Sequence, residues 1–94
     1  NTPIQIQFII NPISGGKSKK KVVDLIETQF PKNQFDIIVS FTERENHATE
    51  LTLKAVKAGK DCVVAVGGDG TINEVAQALI GTQTALGIIP YGSG

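Results

Sequence analysis

Cys62-Val63-Val64-Ala65-Val66-Gly67-Gly68-Asp69-Gly70-Thr71-Ile72-Asn73-Glu74 is the stretch from which the fold of this chain is read. Cys62 to Val66 is apolar throughout. A strand that is apolar on both faces belongs at the centre of a parallel sheet with both sides covered. Gly67 to Gly70 reads as a tight loop. A helix is predicted from Thr71 to about Ile80, with Ile72, Val75, Ala76, Leu79 and Ile80 on its inner face. Thr71 and Glu74 form a T-x-x-E pattern, a capping box that sets where the helix starts. Gly81 ends it.

The same alternation continues on both sides. Upstream, Ile4 to Ile10 reads as a largely buried strand, followed by the turn-forming segment Asn11-Pro12-Ile13-Ser14-Gly15-Gly16. Val22, Leu25, Ile26 and Phe30 recur at helical spacing, which predicts a helix from Lys17 to Gln29 that Pro31 stops. Phe35 to Phe41 is a second strand and Thr42 to Asn46 a polar loop. Ala48, Leu51, Ala55 and Ala58 form one face of a second helix, closed by Gly59. Downstream, Ala85 to Ile89 is a fourth strand and 90–94 a final loop. The order β-α-β-α-β-α-β implies an α/β fold of Rossmann-like, three-layer form, a parallel sheet covered by helices on both faces.

The 94 residues are enough for one small domain. Hydrophobic residues make up 40% and charged residues 19%, a globular rather than a disordered composition. Lys plus Arg and Asp plus Glu are nine each, so the formal net charge is zero and no global excess of basic charge argues for nucleic acid. The single cysteine, Cys62, excludes an internal disulfide and reads as a small buried hydrophobe. No Cys/His cluster suggests zinc. Asn1-Thr2-Pro3-Ile4 lacks a basic region followed by an apolar stretch, and nothing approaches the ~20 apolar residues of a bilayer span. The expectation is an intracellular protein, soluble or peripheral to a membrane.

Ligands of open parallel sheets bind beyond the carboxyl ends of the strands. Three of the four loops there are glycine-rich: Asn11 to Gly16, Gly67 to Gly70 and Gly92 to Gly94; the fourth carries Thr42. Two of them lead into helix N-termini, where N–H groups and the helix dipole favour an anion such as phosphate. This pattern fits a nucleotide site. The bland reading of Gly67 to Thr71 is a tight strand-to-helix turn with Asp69 helping to cap.

Gly67-Gly68-Asp69-Gly70-Thr71-Ile72-Asn73-Glu74 resembles the G-G-D-G-T-x-N-E signature of the diacylglycerol kinase catalytic domain family, which includes sphingosine and ceramide kinases and bacterial lipid kinases. Asn11-Pro12-Ile13-Ser14-Gly15 resembles its N-P-x-S-G loop. Thr42 with His47-Ala48 and Glu50-Leu51 resembles its T-x-x-x-x-H-A-x-E-L segment, and Ile89-Pro90-Tyr91-Gly92-Ser93 its P-x-G-[ST]-x-N-D loop, whose Asn-Asp continuation would follow Gly94. The resemblance implies an ATP-dependent lipid kinase of lipid metabolism and phospholipid synthesis. Asn11, Pro12, Ile13, Ser14 and Gly15 would pack against the nucleotide and Thr42 would contact it. Gly67, Gly68, Asp69, Gly70, Thr71, Ile72 and Asn73 would wrap the phosphates, and Ser93 would supply a hydroxyl. Asp69 is the catalytic candidate and the candidate contact to Mg2+, since magnesium prefers carboxylate and water oxygens. The implied cofactors are ATP and Mg2+. The implied partner is a lipid at the membrane surface, approached from the cytoplasm, with a homodimer as the candidate assembly. On the same resemblance, residues 1–94 are the ATP-binding lobe. A second, β-rich domain holding the general base and a structural metal lies outside them, so the isolated chain is expected to be inactive.

Asn11 to Ser18 also nearly matches the P-loop pattern G-x-x-x-x-G-K-[ST], with Asn11 in place of the first glycine. The stiff Asn11-Pro12, the lysines that follow and the glycine loop at 67–70 argue against that rival. NAD kinase-like and phosphofructokinase-like enzymes share a G-G-D-G-[TS] loop, and a non-catalytic nucleotide-binding module would keep the same fold. Lys17, Lys19, Lys20 and Lys21 read as a solvated basic face, or as an attraction for phosphates or an anionic membrane. His47 reads as structural, and Glu43, Arg44 and Glu45 as solvent-facing charges.

Overall fold

A computed structural model describes residues 2–12 and 19–90. Among these residues four strands alternate with three helices: β1 (Ile4–Ile10), α1 (Lys19–Gln29), β2 (Phe35–Phe41), α2 (His47–Lys57), β3 (Cys62–Gly67), α3 (Asp69–Leu79) and β4 (Ala85–Pro90). The sheet is parallel throughout, in the order β2-β1-β3-β4. The chain steps from β1 outward to β2, then passes back over β1 to β3 and on to β4. With crossovers of one hand, that reversal puts α1 on one face of the sheet and α2 and α3 on the other. The expected α/β architecture is therefore the observed one.

Each face has its own core. Ile6, Phe8 and Ile10 of β1 and Val64 and Val66 of β3 pack with Val22 and Ile26 of α1. Ile9 of β1 and Val63 and Ala65 of β3 point the other way, onto Ala48 and Ala55 of α2 and Val75 and Leu79 of α3. The two central strands supply both cores because successive side chains alternate between faces. Phe30, next after α1, closes one end of the first core, edge-on to Phe8 and to Phe35 with ring centroids 5.2 Å apart in both pairs.

Burial differs from expectation at several positions. Leu25 is 61% exposed, because α1 buries Val22 and Ile26 against the sheet and Leu25 falls outside that line. Ile80 is 71% exposed, because α3 ends at Leu79 and the chain turns away before another inward position is reached. Ala58 is exposed at the C-cap of α2, while Thr52 is fully buried and donates its hydroxyl to the Ala48 carbonyl at 2.7 Å. Cys62 is half-buried against the first core, and burial, followed by the nearby Asp61 charge, pushes its thiol pKa up. Of the expected first helix, Lys17 and Ser18 lie outside the described residues.

Phe8 has no solvent exposure and Leu25 is mostly exposed, so the two report on opposite sides of α1. Phe8→Ala should cost about 3–5 kcal/mol. Leu25→Ala should change stability by less than about 0.5 kcal/mol. Urea unfolding of the two variants checks the difference, and equal costs would mean that α1 is rotated from the face described.

Candidate functional site

The carboxyl ends of three strands meet in one place. The Asn11 N–H donates to the Val66 carbonyl at 2.9 Å, and the Thr42 N–H to the Ile10 carbonyl at 2.8 Å. These bonds carry the sheet ladder one step past the strands and fix the start of each loop. The β1–β3 border is also where the chain reverses direction across the sheet. Loops diverge there and leave a crevice, the usual ligand position in open α/β sheets.

A cavity of about 300 Å³ occupies this edge. Asn11, Thr42, Gly70 and Thr71 line it together, with Glu43, Arg44, Glu45, Ala48 and Glu74. Four expected site residues from three separate loops thus share one space. Pro12 is half-buried in the turn that follows β1. Asp69 is exposed in the first turn of α3, where a carboxylate is favoured by the helix dipole. Asn73 is exposed, and Ile72 packs against the core shared by α2 and α3. Ile13, Ser14, Gly15 and Ser93 lie outside the described residues, as does most of the segment compared with a P-loop.

The capping box does not form. Gly68, in extended backbone with φ −91 and ψ −171, is the N-cap of α3, and no side chain caps it. The helix starts at Asp69, so Thr71 sits inside the first turn and is buried. Glu74 turns outward to another element, and its Oε2 accepts the Asn46 N–H at 3.1 Å.

Two glycines of this loop answer to different demands. Gly67 has φ +154, and a Cβ there would lie 3.2 Å from the Asn11 Cβ and 3.3 Å from the Thr71 Oγ1. The protein itself requires glycine at this point, since the backbone is unfavourable for other residues and the neighbours are already in contact. Gly70 is helical, and beyond its own helix backbone a Cβ on it would meet no atom of the described residues within 4 Å. Glycine costs stability inside a helix, and among the described residues no neighbouring side chain calls for it here. A helix start left open by the described residues suits a ligand that approaches the backbone closely. The first N–H groups of any helix have no partner within the helix, so such a ligand would be an acceptor or an anion.

The loop from β2 to α2 is held by short-range bonds. The Glu43 N–H donates to His47 Nδ1 at 2.9 Å, which gives His47 the structural role expected of it. Arg44 makes a two-pronged pair with Glu50, Nη1 to Oε2 at 2.7 Å and Nη2 to Oε1 at 2.9 Å. The hydrogen bond from Arg44 is the main cause that holds the Glu50 carboxyl below the usual carboxylate range. Arg44 is thus exposed but paired, a link across six positions that residue type alone does not reveal. The Lys19 ammonium lies 5.1 Å from the centre of the Phe41 ring, and Lys20 pairs with Asp24 at 3.4 Å on the solvent side of α1. Among the described residues no three His, Cys, Asp or Glu side chains gather to hold a metal.

Opposite effects on stability are expected at the two glycines. Gly67→Ala should destabilise by about 1–3 kcal/mol. Gly70→Ala should stabilise the ligand-free protein by up to about 1 kcal/mol. Thermal unfolding of both variants tests this, and a loss of stability in Gly70→Ala would show that the protein needs that glycine for itself.

The sequence profile of the diacylglycerol kinase catalytic domain matches residues 5–94. The chain is 34% identical to a diacylglycerol kinase of Staphylococcus haemolyticus over 89 residues, covering 93% of this chain and 27% of that protein. It is 33% identical to a diacylglycerol kinase of Bacillus subtilis over 89 residues, covering 93% of this chain and 29% of that protein. A crystal structure of a diacylglycerol kinase from Bacillus anthracis superposes with a TM-score of 0.77 at 23% identity, over 98% of this chain and 34% of that one, a likeness of fold. The chain spans no more than about a third of the length of these relatives. On the match over nearly its whole length, the chain belongs to the diacylglycerol kinase catalytic domain family.

Proposed function

We propose that the protein is an ATP-dependent lipid kinase, and that residues 1–94 hold its nucleotide. The observation that carries this reading is the convergence of Asn11, Thr42, Gly70 and Thr71 on one cavity beside the N-terminus of α3. Family membership supplies the reaction class. The γ-phosphoryl group of ATP would move to a hydroxyl of diacylglycerol or a related lipid at a membrane surface. Among the described residues no helix is long and apolar enough to cross a membrane. The acceptor site and the general base would lie in the part of the relatives' length that this chain does not span.

The residues present fit such a nucleotide in their chemistry. Gly70 leaves the first turn of α3 open, and the helix start presents N–H donors toward a phosphate. Thr42 and Asn11 bring polar side chains from neighbouring strands to the same space. Ile13, Ser14, Gly15, Gly67, Gly68, Asn73 and Ser93 belong to the proposed site by their places in the family motifs. Asp69 would provide a single carboxylate, which suits magnesium, an ion that commonly keeps several waters and takes its other ligands from substrate phosphates. When bound, the ion would neutralise phosphate charge. Within this chain the work is positioning: phosphoryl transfer depends chiefly on alignment and charge stabilisation.

The test uses the full-length protein, labelled Mg-ATP and, separately, diacylglycerol, sphingosine, ceramide and NAD. Label is expected in a lipid. Label in NAD alone would move the protein to the NAD kinase-like class, and ATP binding with label in none of the acceptors would favour a non-catalytic module. Asp69→Ala should lower turnover on the order of 10²–10³-fold. Its unfolding should shift only by the ~0.3–1 kcal/mol of a first-turn carboxylate; near-normal turnover would remove Asp69 from the site. Gly70→Ala should weaken ATP binding by calorimetry on the order of tenfold, although it stabilises the fold. Unchanged affinity would mean that the phosphates lie elsewhere.

A further inference from the structure

Glu74 lies half-buried on α3, one turn beyond Thr71, and lines the cavity shared by Asn11, Thr42 and Gly70. Its carboxylate accepts the Asn46 N–H at 3.1 Å, across 28 positions of sequence. Asn46 is the N-cap of α2, and its own side chain makes no capping bond. It is also the one non-glycine residue with positive φ, 65, among the described residues. Asparagine tolerates this left-handed conformation better than most residues, but such backbone persists only where its surroundings hold it. The carboxylate of Glu74 supplies that hold from a different helix. It stands at the amino end of α2, where negative charge is favoured.

We propose that Glu74 is a positioning residue, which clamps the loop 42–46 to α3 and so sets the Thr42 side chain at a fixed distance from Gly70 and Thr71. The proposal rests on the nucleotide-site reading above. The start of the loop is tied to the sheet through the Thr42 N–H on the Ile10 carbonyl, 2.8 Å. In its middle, Glu43 bonds to His47 and Arg44 to Glu50, both on α2. Those bonds fold the loop onto its own helix and would move with it. The bond from Asn46 to Glu74 joins the far end of the loop to the helix whose first turn forms the opposite wall of the cavity. Loss of the clamp would leave both walls in place and let their separation vary.

Two substitutions in the full-length protein separate positioning from other roles. Glu74→Ala removes the acceptor, whereas Glu74→Gln keeps a side-chain oxygen at the same reach and loses only the charge. A contact that serves ground and transition states alike appears in KM rather than kcat. In Glu74→Ala the KM for ATP should therefore rise on the order of tenfold while kcat changes by less than about threefold. In Glu74→Gln the KM for ATP should return to within about threefold of the parent value. Hydrogen exchange at the Asn46 amide, read without ATP, should accelerate about tenfold in the alanine variant and much less in the glutamine variant. An unchanged KM for ATP in Glu74→Ala overturns the proposal, even if exchange at Asn46 accelerates, because the loop would then be held for a purpose other than the nucleotide. A glutamine variant as impaired as the alanine variant also overturns it and assigns the charge a direct part in binding or chemistry. Failure of the parent protein to bind ATP by calorimetry is a separate outcome, which overturns the nucleotide reading and this proposal with it.

Discussion

The pairing of β1 with β3 is the constraint on which the rest of this structure depends. Among the described residues these two strands have neighbours on both sides in the sheet, and each feeds both cores. Their register sets Ile10 beside Val66, and the Asn11 N–H extends the ladder to the Val66 carbonyl at 2.9 Å. A slip of β1 by one residue would turn Ile9 toward α1 and Phe8 and Ile10 toward α2 and α3, with β3 left as it is. The same shift would separate Asn11 from Gly67. Packing of the sheet and assembly of the site are therefore consequences of one alignment.

The crowding at that border accounts for the local sequence. Asn11, Gly67 and Thr71 come from a strand end, another strand end and a helix, and their atoms lie close enough that a single added carbon at Gly67 would have to displace something. Thr71 is buried by this contact, although a threonine at a helix start usually faces water as a cap. The extended Gly68 takes the N-cap position, and Asp69 then enters the first turn with its carboxylate exposed. The turn that presents Asp69 is thus fixed from behind by buried groups, not by hydrogen bonds from its own side chains.

Strands were the most legible part of the sequence, because runs such as Phe35 to Phe41 and Cys62 to Val66 are β-rich and sharply bounded. The helices were legible in place and less so in facing. Leu25 and Ile80 fit a 3.6-residue stripe, but α1 meets the sheet along a narrower line and α3 ends one residue before Ile80. Periodicity describes one helix and carries no account of how wide its contact is. The grouping of candidate residues was legible where it depends on strand ends, which is why Asn11, Thr42, Gly70 and Thr71 line one cavity as the order of elements implies. It was not legible where it depends on side chains reaching between elements. The T-x-x-E pattern has a local explanation in the capping box, yet the structure gives Glu74 a partner 28 positions away. Arg44 and Glu50 are similar: each looks like an ordinary surface charge until the loop folds back on α2.

Glycine content by itself does not mark a ligand site, and the contrast between Gly67 and Gly70 shows how the two meanings can be separated. At Gly67 the backbone and the neighbouring side chains fully account for the residue, so its presence says nothing about a ligand. At Gly70 they do not: the backbone is helical, the space is open among the described residues, and alanine is the better helix former. Natural proteins break such local preferences mainly where function requires it. The unexplained glycine sits in the first turn of α3, between Asp69 and Thr71, on the wall of the cavity that Thr42 faces from the other side. Among the described residues nothing at this edge calls for that glycine, and a group accepting hydrogen bonds at the open amino end of the helix would be one reason for it.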